Sequence, residues 1–347
     1  MKPVVIVGGG PVGMLLGCLL AQRGVACELF ERRTTRAPHS RAIGLHGPAL
    51  AVLDRVGVGQ AVRQRAMAIT GGQVFYGSQR LGRLALEPTS VSIPQTETEQ
   101  LLEERLLSLP CVRFHRGTAV QDLSEYRGCV VVGSDGKDSL VRTQAGIPLT
   151  GHAYPDHYLM GDFAETTPFG SDAALFLTPD GIVESFPLPG AQRRWVVWTG
   201  IPERPASLPR LVDLIATRTG FTVTPESCSW VSAFGVQHQL ARRFTQEGLA
   251  LVGDAAHVIS PIGGQGMTLG FLGAETLAEA IVAGDLRPYE RVQQKRAQRI
   301  GRRAAFNTAM GRPCVPHSPR LLFIEALLRI PALAQHFASQ FTMADIS

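Results

Sequence analysis

Residues 4–13 read Val-Val-Ile-Val-Gly-Gly-Gly-Pro-Val-Gly, and this stretch decides the fold. Its β-branched start predicts a buried strand, and apolar residues at helical spacing begin only after Gly13. Between strand and helix the glycines follow the pattern G-x-G-x-x-G. Gly8 is expected to permit the tight turn, Gly10 to admit a pyrophosphate, and Gly13 to let the helix pack on the strand. The stretch therefore predicts a βαβ dinucleotide-binding unit.

An acidic residue lies where such a unit needs one. Residues 25–30 read as the second strand, and Glu31 follows 18 residues after Gly13. A carboxylate there accepts hydrogen bonds from an adenosine ribose and repels a 2′-phosphate. The unit is predicted to bind FAD or NAD, and by itself it does not distinguish them. A glycine-rich turn without a ligand is the alternative reading.

The same N-terminus superficially resembles a signal peptide or a membrane span, because residues 3–21 carry no charge and follow Lys2. The order strand, turn, helix argues against both. No other stretch approaches 18 uncharged apolar residues, so we expect a soluble protein with no membrane partner. The six cysteines are scattered without a C-x-x-C motif, which indicates neither a zinc site nor disulfides and fits the cytoplasm.

Composition limits the function classes further. The 347 residues suggest about two domains, and 45% hydrophobic residues are too many for a disordered chain. The net charge of +5 is mild, so no nucleic-acid partner is expected. Arginine clusters such as Arg32, Arg33 and Arg36 can meet phosphates, although solvated surface is the more common role of such clusters.

Three further positions in the first half are candidates for ligand contact. Arg41 precedes a helical stretch and can neutralise a pyrophosphate, or it is an ordinary surface residue. Gln95 lies just before a helix that Thr96 and Glu99 are expected to open as a capping box. Asp135 follows a buried strand and begins the pattern D-G-x-x-S-x-x-R, which ends at Arg142.

Residues 248–284 are the most informative segment for the cofactor. A short apolar strand ends at Gly253 and Asp254, and carboxyl ends of parallel strands border the ligand crevice of open α/β sheets. Asp254 can therefore bind a polyol such as ribityl. Residues 261–266 then lead into a helix whose N-terminal dipole favours negative charge, as on a reduced flavin. His257 is a candidate base, but a structural role is more common at such a turn.

With these motifs in this order, the chain resembles the class A, single-component flavoprotein monooxygenases, the para-hydroxybenzoate hydroxylase family. The resemblance implies FAD, with Glu31 at the ribose, Arg41 near the pyrophosphate, and Gln95 and Asp254 at the ribityl chain. It also implies that residues 261–266 line the flavin ring. The cofactor-binding residues expected on this basis are Gly8, Gly10, Pro11, Val12, Gly13, Glu31, Arg32, Arg41, Gln95, Asp135, Arg142, Gly253, Asp254, Pro261, Gly264, Gln265, Gly266, Met267 and Thr268.

Two departures from the family pattern stand out. The family usually shows Gly-x-Asn-x-Gly-x-x-Asp-Ala after the glycine-rich turn, whereas this chain has Thr268 and Gly273 at the Asn and Asp positions. The FAD site is expected to survive, since its contacts there are largely made by the backbone. Residues 112–132 are also short, which predicts a trimmed β-meander.

The expected fold class is α/β, with a Rossmann-like FAD-binding domain, an inserted antiparallel β-sheet substrate domain and a C-terminal helical segment. The FAD domain is expected at residues 1–70, 95–147 and 246–310. The substrate domain is expected at 71–94 and 148–245, and the helical segment at 311–347, with a last helix from 321 to 337.

Aromatic residues concentrate in the second of these domains and predict an apolar cavity for a flat substrate, although core packing is the usual role of any single ring. The substrate-binding candidates are Tyr76, Tyr158, Phe176, Phe186, Trp198 and Phe234. No catalytic residue is certain, because the flavin itself carries the chemistry. Pro261, Gln237 and His238 are the candidates beside it.

The function expected from the resemblance is NAD(P)H-dependent insertion of one oxygen atom from O₂ into an aromatic or polyketide- or quinone-like molecule through a flavin hydroperoxide. NADPH or NADH is the expected transient donor, no metal is expected, and the protein is a monomer or homodimer. The alternatives are a flavin reductase without oxygen insertion, a halogenase, or a non-catalytic FAD-fold carrier. The halogenase is disfavoured because no lysine lies near the start of the substrate region.

Overall fold

The computed structural model describes residues 2–39 and 41–346, with the side chains of all of these except residues 87–89. The chain forms two compact units. Each is discontinuous in sequence. The first unit comprises Met1–Gln64, Pro94–His152 and Gln237–Arg303, and the second unit comprises Arg65–Ile93, Ala153–Val236 and Ala304–Ser347. The helical segment expected at 311–347 is part of the second unit, and its last residue lies outside the described residues.

The strands follow the β-branched and aromatic runs of the sequence. In chain order they are β1 Val4–Val7, β2 Cys27–Glu31, β3 Gly44–Leu45, β4 Met67–Tyr76, β5 Gln79–Ser92, β6 Val112–Arg116, β7 Val131–Gly133, β8 Leu149–Ala164, β9 Asp172–Leu177, β10 Val183–Leu188, β11 Gln192–Trp198, β12 Trp230–Ala241, β13 Thr245–Gln246, β14 Leu249–Leu251 and β15 His257–Val258. Between β6 and β7 lies a single 3-10 turn, Leu123–Tyr126, which agrees with the shortened meander.

Most of the helices begin beside a proline, a serine or a glycine-rich turn, as helix N-termini commonly do. In chain order they are α1 Pro11–Ala21, α2 Gly47–Arg55, α3 Gly59–Arg65, α4 Gln95–Leu107, α5 Leu140–Gln144, α6 Leu208–Thr219, α7 Gly266–Ala283, α8 Arg287–Met310, α9 Pro319–Arg329 and α10 Pro331–Phe341.

The first unit is built on a mainly parallel sheet of order β13-β14-β7-β1-β2-β6. β1 is fully buried and pairs in parallel with β2 on one side and β7 on the other, Val5 lying opposite Glu28 and Val131. β14 continues the parallel run beside β7. The carboxyl ends of β1, β2, β7 and β14 therefore share one edge of the sheet, which brings the predicted cofactor motifs together.

Apolar helices in this unit are core elements. Among the described residues, α7 is the single helix long and apolar enough to cross a membrane, and 61% of it is buried within the protein. It packs on α1, whose Met14, Leu15 and Leu16 are fully buried. Burial on most faces explains why both helices are apolar nearly all round.

The second unit contains a mixed sheet of order β12-β8-β11-β10-β9-β4-β5. β10 pairs antiparallel with β9 and β11, whereas β4 and β9 run parallel. α6 covers one face of this sheet. The core beneath it includes Phe163, Phe176 and Trp195. Because strand residues alternate between faces, the neighbours of these residues lie on the other face, which we call the open face.

The C-terminal helix expected at residues 321–337 was wrong in one respect, since the chain there forms two helices. α9 ends at Arg329 and α10 begins at Pro331, with a bend of 102° between them. Ile330 has extended backbone angles, as a residue before proline prefers, because the proline ring clashes with a helical predecessor. Ala338 and Phe341 of α10 pack near Phe186 on the open face.

Candidate functional site

The glycine-rich turn after β1 is so tightly packed that two of its glycines are needed by the fold. Gly8 has a φ of +108°, and a Cβ there would lie 2.4 Å from the carbonyl oxygen of Ser134. A Cβ on Gly13 would lie 2.1 Å from the carbonyl oxygen of Gly8. The turn and the close helix–strand packing that the sequence predicts are therefore both present.

Gly10 and Gly266 differ from these, because open space surrounds the position of a Cβ on each. Gly10 has an ordinary φ of −75° and is the N-cap of α1, and Gly266 is the first residue of α7. Neither glycine is required by contacts among the described residues. Bare backbone facing open space at two helix N-termini fits a cofactor with negatively charged groups.

Glu31 lies at the end of β2 and is 7% exposed. Its Oε2 accepts a hydrogen bond from the Gly9 amide at 2.8 Å, and its Oε1 accepts one from the Arg33 amide at 2.8 Å. These bonds fix the carboxylate beside the glycine turn. A carboxylate has about four acceptor sites, so two remain for the hydroxyls of a ribose.

Asp254 follows β14 within the 3-10 turn Gly253–Ala255. Its side chain is open to solvent, yet protein atoms surround it closely enough that lost hydration raises the pKa of its carboxyl to about 6. The positive charge of Lys137 opposes this increase. Among the described residues it has no hydrogen-bond donor, so it can accept from the hydroxyls of a bound polyol.

Arg142 holds this edge of the sheet together from inside. It is 7% exposed, and its guanidinium donates to the carbonyl oxygen of Ala255 at 3.0 Å and to that of Lys137 at 2.7 Å. Asp135 nearby accepts from the Val141 amide at 3.2 Å through Oδ2, while its Oδ1 is buried without a partner. These contacts give Arg142 a structural role, and contact of either residue with a cofactor stays a prediction.

The glycine-rich turn before α7 is fixed by a histidine that the sequence did not single out. His46 is 3% exposed, its Nε2 lies 3.2 Å from the carbonyl oxygen of Gly263, and burial lowers its pKa to about 4. Its amide donates to Oγ1 of Thr268 at 3.3 Å. Thr268 is fully buried, so the residue that replaces the family asparagine joins α7 to the start of α2.

The second departure, Gly273, is explained by Gln293 of α8. A Cβ on Gly273 would lie 2.7 Å from Nε2 of Gln293. That amide nitrogen donates to the carbonyl oxygen of Leu269 at 2.9 Å and lies 3.2 Å from Nε2 of His257. His257 is 1% exposed, and burial lowers its pKa to about 4. A buried amide therefore fills the space that glycine leaves.

The structure corrects the expectation for the start of α4. The capping box was wrong, because α4 begins at Gln95 with Pro94 as its N-cap, and Thr96 lies inside the first turn. Nε2 of Gln95 donates to Oε1 of Glu99 at 2.6 Å, while burial raises the pKa of Glu99. Two arginines that the sequence analysis expects at the cofactor, Arg32 and Arg41, are exposed.

The remaining positions expected at the cofactor or beside it occupy varied environments. Pro261 is exposed, and Gln237 is half-buried on β12. His238 is half-buried, and a Cβ on Gly301 would lie 2.4 Å from its Cε1. Burial lowers the pKa of His238, and His152 adds to this. The rest lie within the turns and first helical residues described above: Pro11, Val12, Gly253, Gly264, Gln265 and Met267.

Five of the six aromatic substrate candidates lie on the open face of the second unit. Tyr158 stacks on Phe234 with ring centroids 5.3 Å apart, and Trp198 donates to Asp156 at 2.9 Å. The hydroxyl of Tyr76 donates to the Cys314 carbonyl at 3.2 Å, and Phe186 packs near α10. Phe176 lies instead in the core beneath α6, fully buried.

The sequence reasoning missed Glu184, which lies on the open face between Ile182 and Phe186. Its side chain is 6% exposed, and burial raises its pKa to about 7. A single glutamate within a strand-like run carries no motif, so no signal identified it. Among the described residues no group of three or more metal-ligating side chains was found.

Comparison with known proteins places these features in context. The chain matches the family described as "FAD binding domain" over residues 1–130 and 125–284. It is 32% identical over 308 residues to an uncharacterized aromatic compound monooxygenase of Bacillus subtilis, a match that covers 80% of this chain and 61% of that protein. The chain spans 61% to 67% of the length of this and two further curated monooxygenases.

Solved structures show the same fold. The p-nitrophenol 4-monooxygenase from Pseudomonas putida matches with a TM-score of 0.88 at 22% identity, covering 98% of this chain and 97% of that one. An anhydrotetracycline hydroxylase from Streptomyces rimosus matches with a TM-score of 0.79 at 26% identity, covering 99% of this chain and 76% of that one.

Proposed function

Because the chain belongs to the FAD-binding family of class A aromatic hydroxylases, we propose that it is an NAD(P)H-consuming monooxygenase. It inserts one oxygen atom from O₂ into an aromatic or polyketide-like molecule. The observation that carries this proposal is that two helices begin at glycines, Gly10 and Gly266, with open space beside the backbone. The relatives of the chain are named monooxygenases.

The first unit is proposed to hold FAD. Glu31 binds the ribose, because its carboxylate is fixed by two amides and keeps free acceptor sites. The N-terminus of α1 at Gly10 receives the pyrophosphate, and Arg41 neutralises part of its charge. Asp254 accepts from the ribityl hydroxyls. When bound, the flavin would accept a hydride from NADPH or NADH and activate oxygen, through the hydroperoxide that the sequence resemblance implies.

The second unit is proposed to bind the substrate through the aromatic residues of its open face. Tyr158 is fully buried and stacks on Phe234, so it fixes the orientation of the half-buried Phe234 ring, which offers a flat apolar surface. Such a surface orients a planar ring and excludes water from its faces. Phe176 is not part of this surface, because it lies in the core on the other face of the sheet.

No protein base is required for oxygen insertion in this proposal, which agrees with the state of the two buried histidines. His46 and His257 are buried, and burial lowers the pKa of each to about 4, so both are neutral at pH 7. His46 contacts the Gly263 carbonyl in the turn before α7, and His257 contacts the Gln293 amide of α8, so each has a structural role. We further propose that the protein acts in the cytoplasm as a monomer or homodimer, with no nucleic-acid or membrane partner.

Purified protein tests the proposal directly. We expect a yellow protein with a flavin spectrum, whose oxidation of NADPH or NADH accelerates when one aromatic compound is added from a panel of phenols, naphthols and tetracyclic polyketides. A yellow protein that is indifferent to every aromatic would favour a flavin reductase. A protein that cannot take up FAD would refute the proposal and favour a non-catalytic carrier of this fold.

A further inference from the structure

Helix α8 carries the positive excess of the chain. It contains seven arginines and lysines and one acid, Glu290, which gives the helix a net charge of +6. The 347-residue chain has a net charge of +5, so all the other residues together carry −1. The seven cations lie within the part of α8 that belongs to the first unit, which ends at Arg303. The mild overall charge therefore hides a strong local concentration of positive charge.

Five of these cations form one exposed row along the outer side of the helix. Their spacing of three or four residues places them on one face. On the opposite side, Tyr289, Gln293, Ala297 and Ile300 are fully buried and hold the helix in position. We call the exposed set the basic row, and it consists of Arg287, Arg291, Lys295, Arg299 and Arg302.

The acid of α8 does not balance the basic row, because its carboxylate binds the chain at the start of β13. Oε1 of Glu290 accepts from the Phe244 amide at 2.9 Å, and Oε2 accepts from the Thr245 hydroxyl at 2.8 Å. Arg287 pairs with Asp285 at 2.9 Å. For the other four members of the row, the positions three and four residues away on α8 contain no acid.

The basic row weakens its own helix. Like charges at this spacing destabilise a helix, and cations near a helix N-terminus oppose its dipole. Both effects apply to Arg291, in the second turn of α8. Exposed arginines elsewhere in the first unit are paired, as Arg36 is with Glu103 at 2.9 Å and Arg63 with Asp54. The row is thus unfavourable for the isolated chain and suits a partner of negative charge.

A cleft adjoins the first turn of α8 and contains a further cation. Its volume is about 830 Å³, and the residues that line it include Arg243, Thr245, Gln246, Ile281 and Arg287. Val130 and Gly248 also line it, and they immediately precede β7 and β14. The cleft therefore lies at the amino ends of these strands, whereas the predicted cofactor motifs follow the carboxyl ends.

The spacing of the basic row matches that of residues on another α-helix. Its members repeat about once per turn, at intervals of about 5.4 Å, and the row is about 22 Å long. Acids at every fourth residue of a second helix repeat at the same interval, so they can pair with successive cations. A lipid surface fits less well, because a lipid-binding helix has a wide apolar face beside its basic one. The positions beside this row are Val292, Gln294 and Gln298.

We propose that the basic row and the cleft beside it dock an acidic α-helix of a partner protein. Aspartates or glutamates at four-residue spacing on that helix pair with Arg291, Lys295 and Arg302, and a further acid pairs with Arg243 in the cleft. This interaction goes beyond the proposed function, since it uses no residue assigned to the cofactor or to the substrate.

Fluorescence anisotropy with two labelled, alanine-rich peptides of about 20 residues tests the inference. Both are stapled so that each is helical. The in-register peptide has glutamate at every fourth position, and the grouped peptide has the same number of glutamates in one block. At about 0.15 M salt, the FAD-loaded wild type should bind the in-register peptide with micromolar or tighter affinity. It should bind the grouped peptide at least about tenfold more weakly, although the two net charges are equal.

Two variants of equal net charge separate the basic row from charge in general. The row variant should bind the in-register peptide at least about tenfold more weakly. It should melt at the wild-type temperature or higher, because repulsion between like charges is removed. The control variant, which removes four exposed arginines outside the row, should keep the wild-type affinity. The row variant combines Arg243→Ala, Arg291→Ala, Lys295→Ala and Arg302→Ala, and the control combines Arg80→Ala, Arg113→Ala, Arg127→Ala and Arg329→Ala.

The remaining outcomes are also decisive. Absence of binding, or equal affinity for the two peptides, contradicts the inference. So does an equal loss in the two variants, which would show a response to net charge alone. A lower melting temperature of the row variant would assign the row a structural role and overturn the inference. Tighter binding to short duplex DNA or to phosphatidylglycerol vesicles than to the in-register peptide would assign the surface to nucleic acid or lipid instead.

Discussion

The first and second units place their polar site groups in different ways. In the first unit these groups lie in turns at strand ends, and the backbone holds most of them, as Gly9 holds Glu31 and Ala255 holds Arg142. In the second unit Glu184 and Tyr158 lie within regular strands, where Glu184 is 6% exposed and the buried Tyr158 hydroxyl has no hydrogen-bond partner among the described residues. A site built from turns requires glycines at fixed positions, so it can be recognised as a motif in the sequence. A site built from strand side chains has no such motif.

The units also contrast in how their buried ionisable groups respond to pH. Burial lowers the pKa of His46 and His257 in the first unit to about 4, and raises that of Glu184 in the second to about 7. All three favour their neutral forms, because burial removes the hydration that a charged form would keep in water. The two histidines therefore make the folded state less stable at low pH, and the glutamate makes it less stable at high pH.

The largest expected effect comes from removing a side chain that the backbone of the first unit holds in place. Arg142→Ala leaves the carbonyls of Ala255 and Lys137 without their donor and opens a cavity, so we expect a loss of about 3–5 kcal/mol in unfolding free energy. Chemical denaturation measures it. Arg41→Ala, which removes an exposed arginine, should change the unfolding free energy by less than about 0.5 kcal/mol. It should, however, lower the affinity for FAD. Equal stability losses in the two variants would contradict the structural role of Arg142.

The next effect concerns Glu184 and sharpens the contrast in pH response. Folding raises its pKa from 4.5 to about 7, so its contribution to stability is complete below about pH 4.5 and is lost as pH rises through 7. Glu184→Gln removes the titration. Relative to the wild type, the variant should therefore gain about 3 kcal/mol between pH 4.5 and pH 8, measured by urea denaturation across pH. A stability difference that is independent of pH would show that Glu184 is not buried as an unpaired carboxyl.

A smaller effect tests whether the open space at Gly10 belongs to the cofactor. Gly10→Ala meets no protein atom, so the FAD-free protein should keep its stability. The new methyl group should lower the affinity for FAD by roughly 10- to 100-fold, which corresponds to about 1–3 kcal/mol of overpacking. Fluorescence titration of FAD into the FAD-free protein measures this. Gly72→Ala in the second unit, at ordinary contact distance from Leu175, serves as the control. Unchanged FAD affinity in Gly10→Ala would place the pyrophosphate elsewhere.

The smallest effect concerns the space shared by Gly273 and Gln293. Gly273→Ala should cost about 1 kcal/mol of stability, because the buried Gln293 amide must move away from Leu269 and His257. Gln293→Ala should restore the space, so the double variant should be more stable than the sum of the two single effects. Thermal denaturation of the four proteins completes the cycle. Additive effects would show that Gln293 does not explain the glycine.

Much of the first unit was predictable from the sequence, because its geometry depends on residue types that few other structures require. The strand, the glycine turn and the position of Glu31 follow from spacing alone. The roles of His46 and Gln293 were not predictable, since both act on residues more than twenty positions away in sequence. The capping box failed because the backbone turn at Pro94 starts α4 without a side-chain cap.

The second unit was predictable mainly in outline. Alternating apolar residues indicate a sheet, but they do not show which strands are neighbours, so they cannot place Phe176 under α6 and Tyr158 on the open face. Glu184 becomes notable only once the strands beside it are known. The break before α10 was readable from Pro331, whose ring excludes a helical Ile330.

The central claim is that this chain inserts oxygen from O₂ into an aromatic ring. The most direct test supplies ¹⁸O₂ to the FAD-loaded protein with NADPH and the aromatic that most accelerates NADPH oxidation, followed by mass spectrometry of the product. The account predicts a product heavier by one ¹⁸O atom, formed only with both O₂ and NADPH. Consumption of NADPH with hydrogen peroxide as the only oxygen product, for every aromatic that binds, would contradict it.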